Sequence, residues 1–398
     1  MPINKFFLAK PIEWLKRFNQ KWIWEYILFP FLTSRLVLIL VAWFGHYFTA
    51  NPGYGRYIQK GYFISPFFLI DMWSHWDGEW YLSIVKNGFV PSASISTIYS
   101  NLAFFPLFPD IVRLLTLPFS IKASSNSVYL ATGILVSVVF FLLAAYLLYK
   151  LVMELLGDEG IAQRTILLLI AFPSAFFFSA FYPESLFLFL IVAFFTAAWH
   201  KKWFWASLLC GLAGVTRPQG LLLAIPLLWF YMESRQWKIR AIKWDMFFFL
   251  LVPLFVGIHF FYLHSITGDW LAYFHAENSW GRFSANTNGN LIQQFSAVYK
   301  YASRVDFVIF LVFVAAAVYS LFKLPSKGFG VASLSLLALP ILSGSWASQS
   351  RYLLINFPVF IILAWASRKR EVFMLLLVFF IAIQVMYFYG WTSYYFIA

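Results

Sequence analysis

Charge is scarce in this chain. Asp, Glu, Lys and Arg together make up 11% of its 398 residues, less than half the ~25% of soluble globular domains. Cysteine is nearly absent. The one thiol, Cys210, lies within an apolar run, which excludes an intrachain disulfide and a multi-cysteine metal site. No G-x-x-x-x-G-K-[ST] loop occurs, which argues against P-loop nucleotide chemistry, and the absence of H-E-x-x-H argues against a zinc protease of that type. A nucleotide-sugar enzyme would be expected to carry a sizeable cytoplasmic domain, and no stretch reads as one. There is no clear repeat of solenoid period and no low-complexity run. The first 24 residues are basic, lack a continuous apolar core and hold no small-residue cleavage site, so no cleavable signal peptide is expected.

What fills the chain is apolar. Hydrophobic residues make up 62% and aromatics 22%, against about 45–50% apolar residues in soluble domains. Apolar runs recur from end to end, so the expectation is one integral membrane domain over residues 1–398, all-α and polytopic. The net charge of +13 then reflects Lys and Arg in cytoplasmic loops, and no nucleic-acid partner is expected.

A bilayer core needs about 20 apolar residues in a helix. The first candidate span is Tyr26–Phe48, interrupted by Arg35, a charge that must face protein or water or snorkel to the interface. Before it, residues 1–24 form a basic tail in which Trp14, Phe18 and Trp22 fall at helical spacing among Lys and Arg. That suits a helix lying on the cytoplasmic surface or a disordered basic tail. Ten further candidate spans follow at 127–149, 165–179, 184–199, 203–217, 219–232, 246–263, 306–323, 329–344, 352–366 and 372–390. The apolar stretch 102–119 holds Pro106, Pro109, Asp110, Arg113 and Pro118, which do not suit a plain crossing.

Charge sets the parity. If 102–119 does not cross and the N-terminus is inside, 18 of the 29 Lys and Arg fall in inner segments and 10 in outer ones, with Arg35 between. If it crossed, the later basic loops would face outward, against the positive-inside tendency. The stretch therefore reads as re-entrant or interfacial, within a large first outer loop at 50–126. About 11 transmembrane helices follow. This topology gathers the polar breaks at Trp73–Phe89, Ser179–Ser185, Thr216–Gly220, 264–305 and Ser345–Tyr352 on the outer face.

The densest of these reads W-S-H-W-D-G-E-W-Y-L-S-I-V-K-N-G-F from Trp73 to Phe89. Asp77 and Glu79 would share a face on a strand and diverge by about 200° on a helix. Either could act as general base toward a hydroxyl, and a close pair could hold a divalent cation. His75 could orient a substrate phosphate. The alternative is a solvated loop anchored by Trp73, Trp76 and Trp80 at headgroup depth. Tyr182-Pro183-Glu184-Ser185 alone reads as a turn. Arg217, in Thr216-Arg217-Pro218-Gln219-Gly220, could neutralise a lipid phosphate or touch a headgroup. The group from Gly268-Asp269-Trp270 to Trp280-Gly281-Arg282 suits a carbohydrate site or an interfacial helix. Arg351, in Ser350-Arg351-Tyr352, repeats the arginine at a membrane edge.

Taken in order, these motifs resemble a family. Trp76-Asp77-Gly78 with Tyr81-Leu82 and Asn87-Gly88-Phe89 is similar to the W-D-x-x-[YF]-L…x-G-[YF] motif of the second mannosyltransferase of glycosylphosphatidylinositol assembly and its bacterial relatives. Residues 103–109, reading A-F-F-P-L-F-P, are similar to that family's A-F-F-P-L-[FY]-P. Ser179–Phe187, Thr216–Gly220, Gly268-Asp269 with Trp280-Gly281-Arg282, and Ser350-Arg351-Tyr352 also match in order, over about residues 30 to 366. Pro183 departs from the pattern, where relatives often carry Thr. The resemblance implies a glycosyltransferase C fold, with the 50–126 loop as the catalytic one. It also implies a polyprenyl-phosphate sugar donor and an active site on the extracytoplasmic face of a bacterial plasma membrane. Asp77 is then the catalytic base, with Glu79 the weaker candidate. His75, Trp76, Tyr182, Glu184, Arg217, Trp280, Arg282 and Arg351 join Glu79 as candidate substrate-binding residues. The acceptor is a lipid or glycan; no cofactor is assigned beyond an optional divalent metal, and no metal ligands are assigned. The rivals are a transporter or flippase of lipid-linked sugars, which would need polar residues at the bilayer midplane, and a non-catalytic subunit of a glycan assembly.

Overall fold

A computed structural model describes residues 21–48, 64–91, 100–119, 125–280, 304–342 and 348–395. Among these residues every regular element is helical. The principal helices are α1 (Phe29–Phe48), α2 (Asp77–Asn87), α3 (Leu107–Thr116), α4 (Asn126–Leu156), α5 (Glu159–Ala171), α6 (Glu184–Trp199), α7 (Trp203–Gly214), α8 (Ala224–Ser234), α9 (Leu251–Thr267), α10 (Ala272–Ser279), α11 (Arg304–Lys323), α12 (Lys327–Leu342), α13 (Gln349–Leu353), α14 (Phe357–Ala366) and α15 (Arg370–Thr392).

The chain is an all-α polytopic membrane protein. Among the described residues five stretches, Lys21–Phe48, Asn126–Leu156, Trp244–Thr267, Arg304–Lys323 and Arg370–Thr392, are long and apolar enough to cross a bilayer. Their outward faces carry stripes of large apolar side chains. On α1, Leu36, Leu40 and Phe44 repeat every four residues and are each more than half exposed. Such stripes would drive aggregation in water and suit contact with acyl chains. By contrast, α6 and α14 are buried almost all round, so they form the centre of the bundle.

Lipid tails are as apolar as leucine, so helix association in a bilayer rests on packing. Aromatic rings supply much of it here. Phe172 meets Phe313, Phe360 and Phe380 with centroids 5.2–5.3 Å apart, joining the end of α5 to α11, α14 and α15. Arg35 faces this protein interior. It donates to Ala175 O at 2.8 Å and lies 4.5 Å from the Phe31 ring centroid.

A helix lies in each of the eleven candidate spans, but several bounds differ from expectation. The run at 165–179 stops being α-helical at Ala171, because Pro173 forces Phe172 into extended backbone (ψ 144°). A 3-10 turn, Ala175–Phe178, replaces the rest. The run at 352–366 is split into α13 and α14, with Pro358 in the first turn of α14. The start of 219–232 is a 3-10 turn, Pro218–Leu223. In the tail, Trp22 stacks on Tyr149 at 4.2 Å; Trp14 and Phe18 lie outside the described residues.

Loops expected on one side do meet one another. At one end His200 pairs with Glu154 at 3.0 Å, Arg368 with Asp158 at 3.2 Å, and Ser326 Oγ donates to Glu233. At the other end Lys86 donates to Asn126 at 2.9 Å, and His75 Nδ1 bonds Trp391 O at 3.0 Å. The stretch 102–119 belongs to this second end. Its helix, α3, has 10 residues, a rise of about 15 Å, half the thickness of a bilayer core. It buries Phe108 and Val112 and exposes Leu114 and Leu115, the pattern of an interfacial helix.

Candidate active site

The stretch from Trp73 folds as a tight reversal followed by α2. Trp76 has φ 57° and ψ −117°, a conformation that a residue with a Cβ rarely adopts. Contacts on both sides hold it. Phe181 N–H donates to Trp73 O at 2.8 Å, and Tyr182 O–H donates to His75 O at 2.8 Å. Because of the reversal, α2 begins at Asp77, so the carboxylate sits at a helix N-terminus, where free N–H groups favour an anion. Gly88, at φ 73°, ends the helix by donating its N–H to Ile84 O at 2.8 Å.

Four charges from four segments meet here. Arg351 Nη1 donates to Asp77 Oδ2 at 2.6 Å. Its Nε donates to Glu184 Oε1, and Arg217 Nη1 donates to the same oxygen. Arg217 Nε donates to Gln219 Oε1 at 3.3 Å. The placement follows helix polarity. Glu184 is the first residue of α6, and Arg217 follows the C-terminal end of α7, so each charge sits where the local dipole favours it. The Arg351 guanidinium lies 4.6 Å from the Tyr182 ring centroid and 5.2 Å from that of Phe177. Burial alone would lower the Arg351 pKa, but Glu184 and Asp77 hold it well above its ordinary value. Burial pushes the phenols of Tyr81 and Tyr182 up, so both remain hydrogen-bond donors at neutral pH.

The network is neutral overall and nearly dry. Glu184 is 0% exposed, whereas the Asp77 side chain keeps 22% exposure. Attraction between unit charges at ~4 Å is about 4 kcal/mol at an effective dielectric of 20, while desolvation costs several kcal/mol per ion. Stability alone is therefore a weak reason to keep four charges here. Asp77 is the one member open to a ligand.

The remaining predicted residues are divided. Trp76 is partly buried against the main core. His75 is 2% exposed and turned away from the cluster. Its Nε2 faces Asp71 Oδ2 at 3.3 Å, and its ring stacks between Trp391 and Tyr394. It ties the first loop to the end of α15. Glu79 is exposed, and as part of a helix it diverges from Asp77, so the two do not form the close carboxylate pair that a cation would need. Among the described residues no group of three or more His, Cys, Asp or Glu could hold a metal. Trp280 meets Trp80 edge-on at 5.4 Å, and its Nε1 donates to Ser100 O at 3.4 Å. Trp80 follows Asp77 by one helical turn, so this aromatic wall flanks the cluster. Arg282 lies outside the described residues. Sequence reasoning missed Gln219, which reads as a turn residue, and Asp71, whose carboxylate also accepts from Ile64 N and Ser65 N at 2.7 and 2.9 Å.

Residues 64–258 match the profile of the family described as Mannosyltransferase (PIG-V). The chain is 32% identical over 118 residues to GPI mannosyltransferase 2 of Drosophila pseudoobscura pseudoobscura, covering 29% of this chain and 25% of that one. It is 30% identical over 116 residues to GPI mannosyltransferase 2 of Drosophila melanogaster, covering 28% and 24%. These matches thus span about a quarter of the curated relatives' length. Among solved structures, the chain is similar to the Archaeoglobus fulgidus oligosaccharyltransferase. With zinc and sulfate that structure gives a TM-score of 0.45 at 14% identity over 91% of this chain and 53% of that one. The apo form gives 0.47 at 13% over 92% and 56%.

Proposed function

We infer that this chain, a relative of the mannosyltransferase (PIG-V) family through residues 64–258, is a membrane glycosyltransferase, and specifically a mannosyltransferase. The donor in this reading is a polyprenyl-phosphate sugar, the acceptor a lipid or glycan hydroxyl, and the active site faces the extracytoplasmic side.

The observation that carries this reading is the meeting of Asp77, Arg351, Glu184 and Arg217 at one end of an apolar bundle. Arg351 occupies one oxygen of Asp77 and so leaves Oδ1 to take the proton of an acceptor hydroxyl. The acceptor oxygen attacks the anomeric carbon, and the bond from that carbon to the phosphate oxygen breaks. The polyprenyl phosphate departs with the electron pair, and single displacement inverts the anomeric centre. Arg217 and Arg351, shared with Glu184, lie where positive charge would offset the leaving phosphate. The four charges of the cluster meet at one end of the bundle, and no path of charges along the bilayer midplane joins them among the described residues that pair there, which favours chemistry over transport.

The test uses the full chain in detergent with polyprenyl-phosphate mannose and a panel of membrane acceptors. The expected result is a mannosylated acceptor of inverted anomeric configuration, read by NMR. Movement of intact lipid-linked sugar across proteoliposomes, with no transfer, would instead support the flippase reading. Neither activity would return the chain to the non-catalytic subunit reading.

A further inference from the structure

Tyr182 touches both of the groups that fix Asp77. Its O–H donates to His75 O at 2.8 Å, and its ring centroid lies 4.6 Å from the Arg351 guanidinium. It is 1% exposed, which leaves it little surface to offer a substrate.

The carbonyl it holds belongs to a reverse turn. Gly78 N–H donates to the same oxygen at 3.2 Å, which closes a turn over His75–Gly78 with Trp76 and Asp77 at its centre. Trp76, at φ 57° and ψ −117°, takes the first central position of a type II′ turn, a place that favours glycine. A side chain is strained there, and such a conformation persists only where its surroundings over-determine it. The Gly78 bond is internal to the turn. The Tyr182 bond reaches it from 107 residues away. Asp77 is the second central residue, so the aim of its carboxylate follows the setting of this turn.

Tyr182 is itself fixed. Ser137 Oγ, on α4, donates to Tyr182 O at 3.0 Å. The ring is walled by Phe177 and Trp391, with centroids 5.0 and 5.7 Å away. Arg351 rests on that ring, a favourable place for a cation, while it donates to Asp77 Oδ2 at 2.6 Å. One phenol thus bears on the backbone beside Asp77 through its oxygen and on the carboxylate's partner through its ring.

We propose that Tyr182 is a positioning residue for Asp77, whose hydroxyl holds the strained turn at Trp76 and so keeps the free carboxylate oxygen on its aim. This deepens the glycosyltransferase reading above and rests on it for the rates.

The experiment uses Tyr182→Phe, which removes the O–H and keeps the ring under Arg351. The change is made in the native background and in Trp76→Gly, since glycine takes φ > 0 without strain. Transfer from polyprenyl-phosphate mannose by the full chain in detergent is measured in both. In the native background kcat falls by roughly tenfold, the worth of one good buried hydrogen bond, while KM for the donor is kept. In the Trp76→Gly background the same change costs less than about twofold, the ordinary limit of additivity. The same loss in both backgrounds, or no loss in either, overturns the proposal, because a ring that only fills the core owes nothing to the strain at Trp76. If Trp76→Gly does not fold, or no transfer is found, hydrogen exchange read by mass spectrometry decides. Tyr182→Phe must then speed exchange at the amides of Gly78 and Glu79, which donate to His75 O and Trp76 O, and leave α6 as it was. Exchange unchanged in the turn, or raised throughout, overturns the proposal. The two readings fail separately. Exchange raised in the turn alone, with no transfer by wild type, sinks the glycosyltransferase reading alone. Transfer by wild type that Tyr182→Phe leaves untouched sinks the positioning role alone.

Discussion

Removing the Arg351 guanidinium leaves Asp77 unpaired and Glu184 with Arg217 alone. Breaking a buried ion pair by deleting one partner costs about 3–5 kcal/mol. Arg351→Met is expected at the low end, about 3 kcal/mol, because Arg217 still faces Glu184 and Asp77 reaches solvent. Denaturant unfolding of the purified protein in detergent reads this directly, and an unchanged midpoint would show that the network does not hold the loops together. The residues differ in how far sequence revealed them. Asp77, Arg217 and Arg351 stand out as rare charges at membrane edges. Glu184 looks like a turn residue, because its two partners lie 33 and 167 positions away in the chain. His75 looks like a ligand for the opposite reason. It sits in the motif, and although Asp71 is only four residues away, its other partner Trp391 is 316 residues distant, so the sequence does not show that it turns inward.

At the scale of elements, hydropathy locates the helices but not their breaks. Each apolar run holds a helix, yet α5 ends early at Phe172 and the run at 352–366 is cut in two. Both breaks stand beside a proline, a signal present in the sequence but weaker than the continuous apolar run around it. The turn after α7 is the element the site depends on most. A Cβ on Gly220 would come within 2.1 Å of Ala213 O and 2.5 Å of Gly214 N, so the turn lies flat on the end of α7 only as glycine. Overpacking against backbone costs about 1–3 kcal/mol or more. Gly220→Ala should therefore lower the melting temperature and, by lifting Arg217 away from Glu184, reduce transfer more than stability alone explains. A variant with wild-type melting and wild-type transfer would show that the turn can shift freely.

At the scale of the whole molecule, the charge distribution predicts an alternation that the contacts respect. Loops expected inside meet one another, and so do loops expected outside, with α3 too short to disturb the parity. The described parts of the polar breaks fall at one end because odd and even loops separate by side, an alternation expected from Lys and Arg alone. Which side chains of that end converge is set by helix packing, which a hydropathy pattern does not encode. Asp77 is the one carboxylate of the cluster that is open to a ligand. The most direct measurement is release of polyprenyl phosphate from polyprenyl-phosphate mannose by wild type and by Asp77→Asn. Removing a general base costs about 10²–10⁴-fold in rate, so turnover should fall by that factor while donor binding and the melting temperature are kept. Equal turnover by the two proteins would contradict the account.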